Sequence, residues 1–539
     1  MKKTATLFGC VCLLALFSCK KDEMTTPVSD AKSISQKNLS LTTVNGQTVN
    51  TDTIPPTTAV DVHTLGVKGD GVTDDTKALQ AAFSSHSVLL LKGGKYLINN
   101  TLTMPGGLKL YGTNGATITA GNSMTGTLLT LGRYLYISNS NRNVVNNVIF
   151  NKSSQAFNLG VWAASVIYIT NSPYSYISYC KFNFNQPYQH SGVKAVWCEG
   201  TGTLYTYIWH NTCNTVGIEY AESGASGTSC MFNTINNANS NALEADGNGT
   251  SYCTGIMVGF NTVNNAGYNG IVDWGLVDGT HITGNVVNGS GKSPSEGALG
   301  EGIQCAAINT VVDLNTVSDA QAQYIEVGSP SIRVDSNKII DTKLVTLGIV
   351  VECMVTPSSR CKTTTCEIGH NNITGCLNAI QVIGNVTPSV NMNYNTIANP
   401  KNIGVNIISN SASYNVNLTG NTINMTTPNL QSRNAILSYV SSLTSTQLIN
   451  LTNNTVNYST GAAGGIGSET AISAHTNTMT LIGNKVNGNS IKSKSGAEVM
   501  AMNSNGASYT GYTFTNNVFT NCGNSITGYK TISLSGNIF

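Results

Sequence analysis

From about residue 200 onward, apolar and polar positions alternate in short runs. Each run closes on one repeated phrase: an Asn, any residue, then Val, Ile or another apolar residue. The Asn falls at Asn211, Asn233, Asn261, Asn285, Asn315, Asn337, Asn371, Asn395, Asn421, Asn454, Asn484, Asn517 and Asn537, at intervals of 20 to 34 residues. A period of this size marks a solenoid, whose repeats bury their apolar faces against one another. After most Asn phrases a further strand opens on Gly or Ala and an aliphatic residue: GIEY at 217–220, ALEA at 242–245, GIVD at 270–273, GIQC at 302–305 and AIQV at 379–382. Two or three short strands per turn predict an all-β chain, a single-stranded right-handed parallel β-helix. The hand follows from the crossover preference of parallel strands. Coils stack about 4.8 Å apart, so each Asn lies above the next. Asn tolerates the left-handed backbone of such a turn, and its amide can bond the Asn above and below.

Residues 60–83, VDVHTLGVKGDGVTDDTKALQAAF, precede VLLLKGGKYLINNTLTMPGGLKLYG at 88–112. Gly69-Asp70-Gly71 reads as a turn, and Asp74 or Asp75 as the N-cap of a short helix through Lys77–Phe83. That helix would cover the open end of the first coil. The segment resembles the opening of the pectate-lyase-like superfamily of rhamnogalacturonases and polysaccharide epimerases. The resemblance implies a β-helix that acts on polysaccharide, with 58–112 as cap and first coils, and it makes Asp70, Asp74 and Asp75 structural. Neither the Asn-Thr-Asp, Asp-Asp, Gly-His-Gly and Arg-Ile-Lys series of polygalacturonase-type hydrolases nor the Asp-Pro-His-Glu motif of mannuronan epimerases occurs.

Residues 1–19 pair Lys2 and Lys3 with an apolar run that ends Leu-Phe-Ser-Cys at Cys19. The run is too short to span a bilayer comfortably. It resembles a bacterial lipoprotein signal with Cys19 as the lipidated residue, and Lys20-Lys21-Asp22-Glu23 resembles the export tag of surface lipoproteins in the Bacteroidetes group. These likenesses imply a cell-surface lipoprotein held to the outer membrane, with 20–57 as a flexible tether and 58–539 as the β-helix. Lys2 and Lys3 account for the excess of 28 basic over 26 acidic residues. The remainder is neutral overall, which argues against a nucleic-acid partner. Cys213 and Cys305 fall on apolar-phase positions, while Cys353, Cys361, Cys366 and Cys376 crowd one insertion where an oxidising compartment permits disulfides.

Alternation assigns the outward face. If Ile of each Gly/Ala-Ile phrase points inward, the next residue points out: Lys194, Glu219, Glu244, Val272, Gln304, Glu326, Val350, Gln381, Asn406, Leu437 and Ser473. Two residues on, the face carries Val196, Ala221, Asp246, Trp274, Ala306, Gly328 and Glu352. Charge therefore gathers in coils 190–355 of a chain only 10% charged.

Two enzyme readings fit. In a polysaccharide lyase, Glu219, Glu244 and Asp246 hold Ca²⁺ against a uronate carboxylate and neutral Lys194 takes the C5 proton, an arrangement similar to that of some β-helix lyases. In a glycoside hydrolase, which needs no cofactor, two carboxyls share the work: Glu219/Glu244, or Asp273 with Glu244 or Asp246. Trp274, with Trp197 and Tyr220, offers sugar-stacking rings, and Glu301, Gln304 and Glu326 lie where a glycan would continue. The same charges would also suit a non-catalytic glycan-binding protein or adhesin.

Overall fold

A computed structural model describes residues 42–44 and 47–49, most of 55–458, and chiefly the strands between 470 and 535. The chain forms two compact units, Met1–Asp52 and Thr53–Phe539. In the first, within the expected tether, Thr42–Val44 and Gln47–Val49 pair as antiparallel strands. Segment 1–19 with Cys19, and also Cys353, Asn484 and Asn537, lie outside the described residues.

The second unit is a parallel β-helix. A typical coil supplies Gly217–Glu222, Ser229–Met231 and Thr234–Asn236, each paired in parallel with its counterpart in the next coil. One of the three sheets holds 16 strands among the described residues, from Leu102–Met104 to Ile526–Thr527. Seven of these strands matter below: β1 (Lys194–Glu199), β2 (Gly217–Glu222), β3 (Leu243–Gly247), β4 (Ile271–Gly275), β5 (Ile303–Cys305), β6 (Gln323–Val327) and β7 (Leu347–Val351).

The interior is built from register files of β-branched residues. In one, Ile235, Val263, Val287, Val317 and Ile339 are consecutive cross-strand partners, all fully buried. Each contributes roughly 1.5–3 kcal/mol by burial, and β-branching suits the pleated, half-buried surface. Cys213 and Cys305 are core thiols as expected, and Cys366 and Cys376 also belong to the core.

The single described α-helix, α1 (Thr76–Ser85), covers the first coil with Leu79, Ala82 and Phe83. Its Gln80 amide donates to Thr103 O at 3.0 Å and accepts from Thr103 N at 2.9 Å, satisfying the backbone of the terminal strand Leu102–Met104. The edge is thereby closed to further strands. The aspartates divide the turn chemistry: Asp74 accepts from Thr76 N, Asp75 from Lys68 N and Gly69 N, and Asp70 from Val72 N and Thr73 N. Those bonds, led by Thr73, hold Asp70 down at about 2.

The Asn ladder is continuous from Asn211 to Asn454. At each step the Asn backbone N–H and Nδ2 both donate to the next Asn Oδ1, as Asn261 does to Asn285 at 2.9 and 3.0 Å. Nδ2 also donates to a backbone carbonyl, Val258 O for Asn285. The left-handed position differs from expectation. It belongs to the residue before the rung, such as His210, Phe232, Phe260, Leu314 and His370, which frees Asn for its side-chain bonds. Three of these outer residues, His210, Phe232 and Phe260, stack in file with Tyr179, the left-handed residue one coil earlier, with centroids 4.8 to 5.3 Å apart. Asn285→Ala removes a rung and strands buried donors on Asn261. Each unsatisfied group costs about 1–3 kcal/mol, so urea unfolding should show a loss of at least about 2 kcal/mol. Asn183→Ala, on a strand and with exposed amide bonds, should cost under about 0.5 kcal/mol.

Candidate functional site

Cross-strand register fixes the outward rows of β1–β7. The first row runs Trp197, Glu219, Glu244, Val272, Gln304, Glu326 and Val350. From Glu219 onward it follows the alternation read from sequence. Its first member does not: Lys194 pairs with Gly217 at the start of β1, because Ala195 and Val196 both pack into the core. Lys194 instead reaches across from the strand end.

The second row is Glu199, Glu222, Asp246 and Trp274, where alternation had placed Val196 and Ala221. The cause is a bulge in β2. Tyr220 and Ala221 both enter the core opposite Ala245, so the outward phase resumes one residue late, at Glu222. Tyr220 is therefore no sugar platform; its hydroxyl donates to Val272 O at 3.0 Å inside the coil. Asp273 is likewise interior, in register with Ala245 and Cys305, and accepts from Thr310 Oγ1 at 2.9 Å. It cannot share a substrate on the outer face with Glu244 or Asp246. Burial pushes Asp273 up to about 7.

Above the carboxylates the first row is aromatic. Tyr136 and Tyr168 precede Trp197 in register, with their rings stacked at 5.8 Å. The Arg133 guanidinium lies 3.5 Å from the Tyr168 ring centre, and the Tyr168 hydroxyl donates to Glu199.

Lys194 Nζ lies against the first row. It bonds Glu244 Oε2, lies 3.7 Å from Glu219 Oε2 and contacts Asn241 O at 3.4 Å. Burial works against the ammonium, but Glu244 and Glu219 together outweigh it and raise Lys194 above its ordinary range. Glu219, 1% exposed, is pushed well up by burial and by Glu244. Burial also pushes Glu244 upward, yet the Lys194 charge and bonds from Lys194 and Asn241 prevail and hold it below the usual value. The ammonium thus supplies the positive charge that the calcium reading gave to an ion. Glu219 and Glu244 turn towards Lys194 rather than towards a common centre with Asp246, and no group of three His, Cys, Asp or Glu side chains among the described residues is arranged to hold a metal.

Glu222 and Asp246 are in register on β2 and β3, and neither has an ion-pair partner among the described residues. Burial, then Asp246, Glu199 and Glu244, push Glu222 up to about 8 against a bond from Ser223. Burial and Glu244 push Asp246 up to about 6, against Lys194 and a 2.6 Å bond from Asn248 Nδ2. Trp274, half-buried, follows Asp246 in the row.

A polar relay extends the face. Asn241 Nδ2 donates to Glu244, Asn269 N to Asn241, Asn269 Nδ2 to Gln304, and Gln304 Nε2 to Glu326, at 2.8 to 3.1 Å. Burial, with Glu301 and Glu352 nearby, pushes Glu326 up to about 7. Asp278, by contrast, is taken up by Arg360 at 2.8 Å.

Residues 59–271 match the family described as rhamnogalacturonase A/epimerase, pectate lyase-like. Two curated relatives share a short stretch. A non-secreted LysM effector of Penicillium expansum is 42% identical over 57 residues, 10% of this chain and 4% of the relative. A glucan 1,3-beta-glucosidase of Cochliobolus carbonum is 37% identical over 65 residues, 11% of this chain and 8% of the relative. The chain thus spans under a tenth of either relative's length. Among solved structures, the catalytic unit of a GH87 alpha-1,3-glucanase from Streptomyces thermodiastaticus strain HF3-3 is similar with 11% identity, covering 88% of this chain and 70% of that one at a TM-score of 0.42. The A-module of mannuronan C-5 epimerase AlgE4 from Azotobacter vinelandii is similar with 12% identity, covering 84% and 99% at a TM-score of 0.33. The family match thus spans the coils that carry Glu199, Glu219, Glu222, Glu244 and Asp246, and ends at residue 271.

Proposed function

We propose that this protein is a carbohydrate-active enzyme that hydrolyses a glycosidic bond of a polysaccharide laid across β1–β4, with Glu222 as acid and Asp246 as nucleophile. The observation that carries the reading is the in-register pair itself: two outward carboxyls on adjacent coils, free of ion pairs, pushed up to about 8 and about 6. Environments that separate two carboxyls in this way assign acid and base. At pH 7 Glu222 keeps its proton while Asp246 is mostly ionised. Neighbouring strands put the two groups about 5 Å apart, a spacing that suits retention. Glu222 protonates the glycosidic oxygen as Asp246 attacks the anomeric carbon and the C–O electron pair leaves with the departing sugar. Water, deprotonated by Glu222, then releases the bound sugar. Trp274 offers a ring to the pyranose beside Asp246, and the superfamily match supports a polysaccharide target.

A lyase with Lys194 as base gains less support, because a lysine clasped by two carboxylates stays protonated and has no lone pair to accept a proton. The hydrolase reading is tested by the pH dependence of kcat/KM. It should rise through about 6 as Asp246 ionises and fall through about 8 as Glu222 loses its proton. A rate that climbs steadily into the range where lysine titrates would contradict it.

A further inference from the structure

We infer that the glycan taken by this face is uncharged, and that Gln304 and Glu326 on β5 and β6 recognise its hydroxyls; the inference rests on the substrate lying along these rows. The first ground is charge. The outward rows present Glu199, Glu219, Glu222, Glu244, Asp246 and Glu326. The cation at their centre, Lys194, is already held by Glu244 and Glu219. Arg133 is laid against the Tyr168 ring, Arg360 is engaged by Asp278, and Lys292 and Lys343 are engaged by Asp319. A polyuronate would set a carboxylate on every sugar against the ionised Glu244 and Asp246 and would oppose ionisation of Glu219, Glu222 and Glu326, because partial burial strengthens like-charge repulsion.

The second ground is hydrogen bonding. Glu219 Oε1, Glu222 Oε2 and Glu301 Oε2 have no partner among the described residues, although these residues are 1%, 1% and 7% exposed. Buried oxygens of this kind call for a partner: an acceptor while the carboxyl keeps its proton, and a donor once it is ionised. A sugar hydroxyl both donates and accepts, whereas a uronate carboxylate only accepts. The relay from Asn241 through Asn269 to Gln304 fixes the Gln304 amide so that its Nε2 meets Glu326 at 3.0 Å. That leaves a pre-oriented amide and carboxyl two coils from the Asp246–Trp274 step, about 10 Å along the axis and about the length of two sugar units.

The test is affinity electrophoresis of the full chain carrying Glu222→Gln, in gels with glucan, mannan, xylan, galactan or polygalacturonate, at low and high salt. Asp246→Asn serves in the same assay should Glu222→Gln fail to fold. At least one neutral glycan should retard the protein equally at both salt levels, while polygalacturonate should not. Glu326→Ala should weaken that binding about tenfold, with its thermal unfolding run alongside. Retardation by polygalacturonate as strong as by any neutral glycan, or no retardation by any of them, would overturn the inference. Neutral glycan that binds but is not cut by the native chain would support it while ending the hydrolase reading.

Discussion

Glu222→Gln should lower kcat by about 10²- to 10⁴-fold, the usual worth of a positioned acid, and leave the fold intact. Gln matches Glu in shape and can still accept the 2.8 Å bond from Ser223 Oγ, so the rank of Glu199, Glu222 and Asp246 stays in register. What it lacks is a proton to give the leaving oxygen. The falling limb of the pH profile near 8 should vanish with the group that produces it. Asp246→Asn should be as damaging, and the double variant little worse than either, because groups that act as a unit are not additive. A leaving group that needs no protonation should recover much of the first step in Glu222→Gln and none of it in Asp246→Asn. Full activity of Glu222→Gln would remove the acid from the mechanism.

Lys194→Met should destabilise the protein by about 3–5 kcal/mol, the range for breaking a buried ion pair from one side. Lys194 is 3% exposed and its removal leaves Glu244 with one amide donor, Asn241. The loss should depend on pH in a defined sense. In the native chain Glu244 is held below its ordinary value of 4.5, so its contribution is present above the unfolded pKa and fades as pH falls through the folded one. Without Lys194, burial prevails and the folded pKa of Glu244 rises above the unfolded one. The folded state then holds a proton that the unfolded state has released, and stability falls as pH rises. Urea unfolding should therefore show a larger deficit at pH 8 than at pH 5. Lys194→Met with Glu244→Gln should recover most of it, since the second change removes the stranded charge. An equal deficit at both pH values would contradict this account of the cluster.

The Asn ladder and the capping helix were legible because each is written in local pattern. The Asn phrase recurs coil after coil, and 74–83 carries both its cap and its apolar stripe. The outward row from Glu219 to Gln381 was legible for the same reason: alternation along β3–β7 is undisturbed. Legibility fails at β1 and β2, where an extra residue reverses which face a side chain meets. Strict alternation hides Glu222 and offers Ala221, whereas the bulge buries Ala221 and places Glu222 in the outer row. A signal was present. Two residues separate Glu219 from Glu222, but one separates Glu244 from Asp246, so the two acidic pairs align only if β2 carries one residue more. Lys194 shows a different limit. Alternation misplaces it in the row, and its state is not readable either, because the choice between a neutral base and a clasped ammonium depends on where two distant glutamates turn. Asp273 fails likewise: an acid two residues after Ile271 keeps the inward phase, and only the Thr310 bond shows how the coil tolerates it.

The central claim is that paired carboxyls on β2 and β3 cut a glycan by hydrolysis. Its most direct test follows the products of the native chain on a glycan it degrades, recording new reducing ends, ultraviolet absorbance and the first-formed anomer together. The account predicts new ends with no unsaturated sugar and with the anomeric configuration retained. Unsaturated ends would contradict it outright, and an inverted anomer would break the assignment of Glu222 and Asp246 as the close pair.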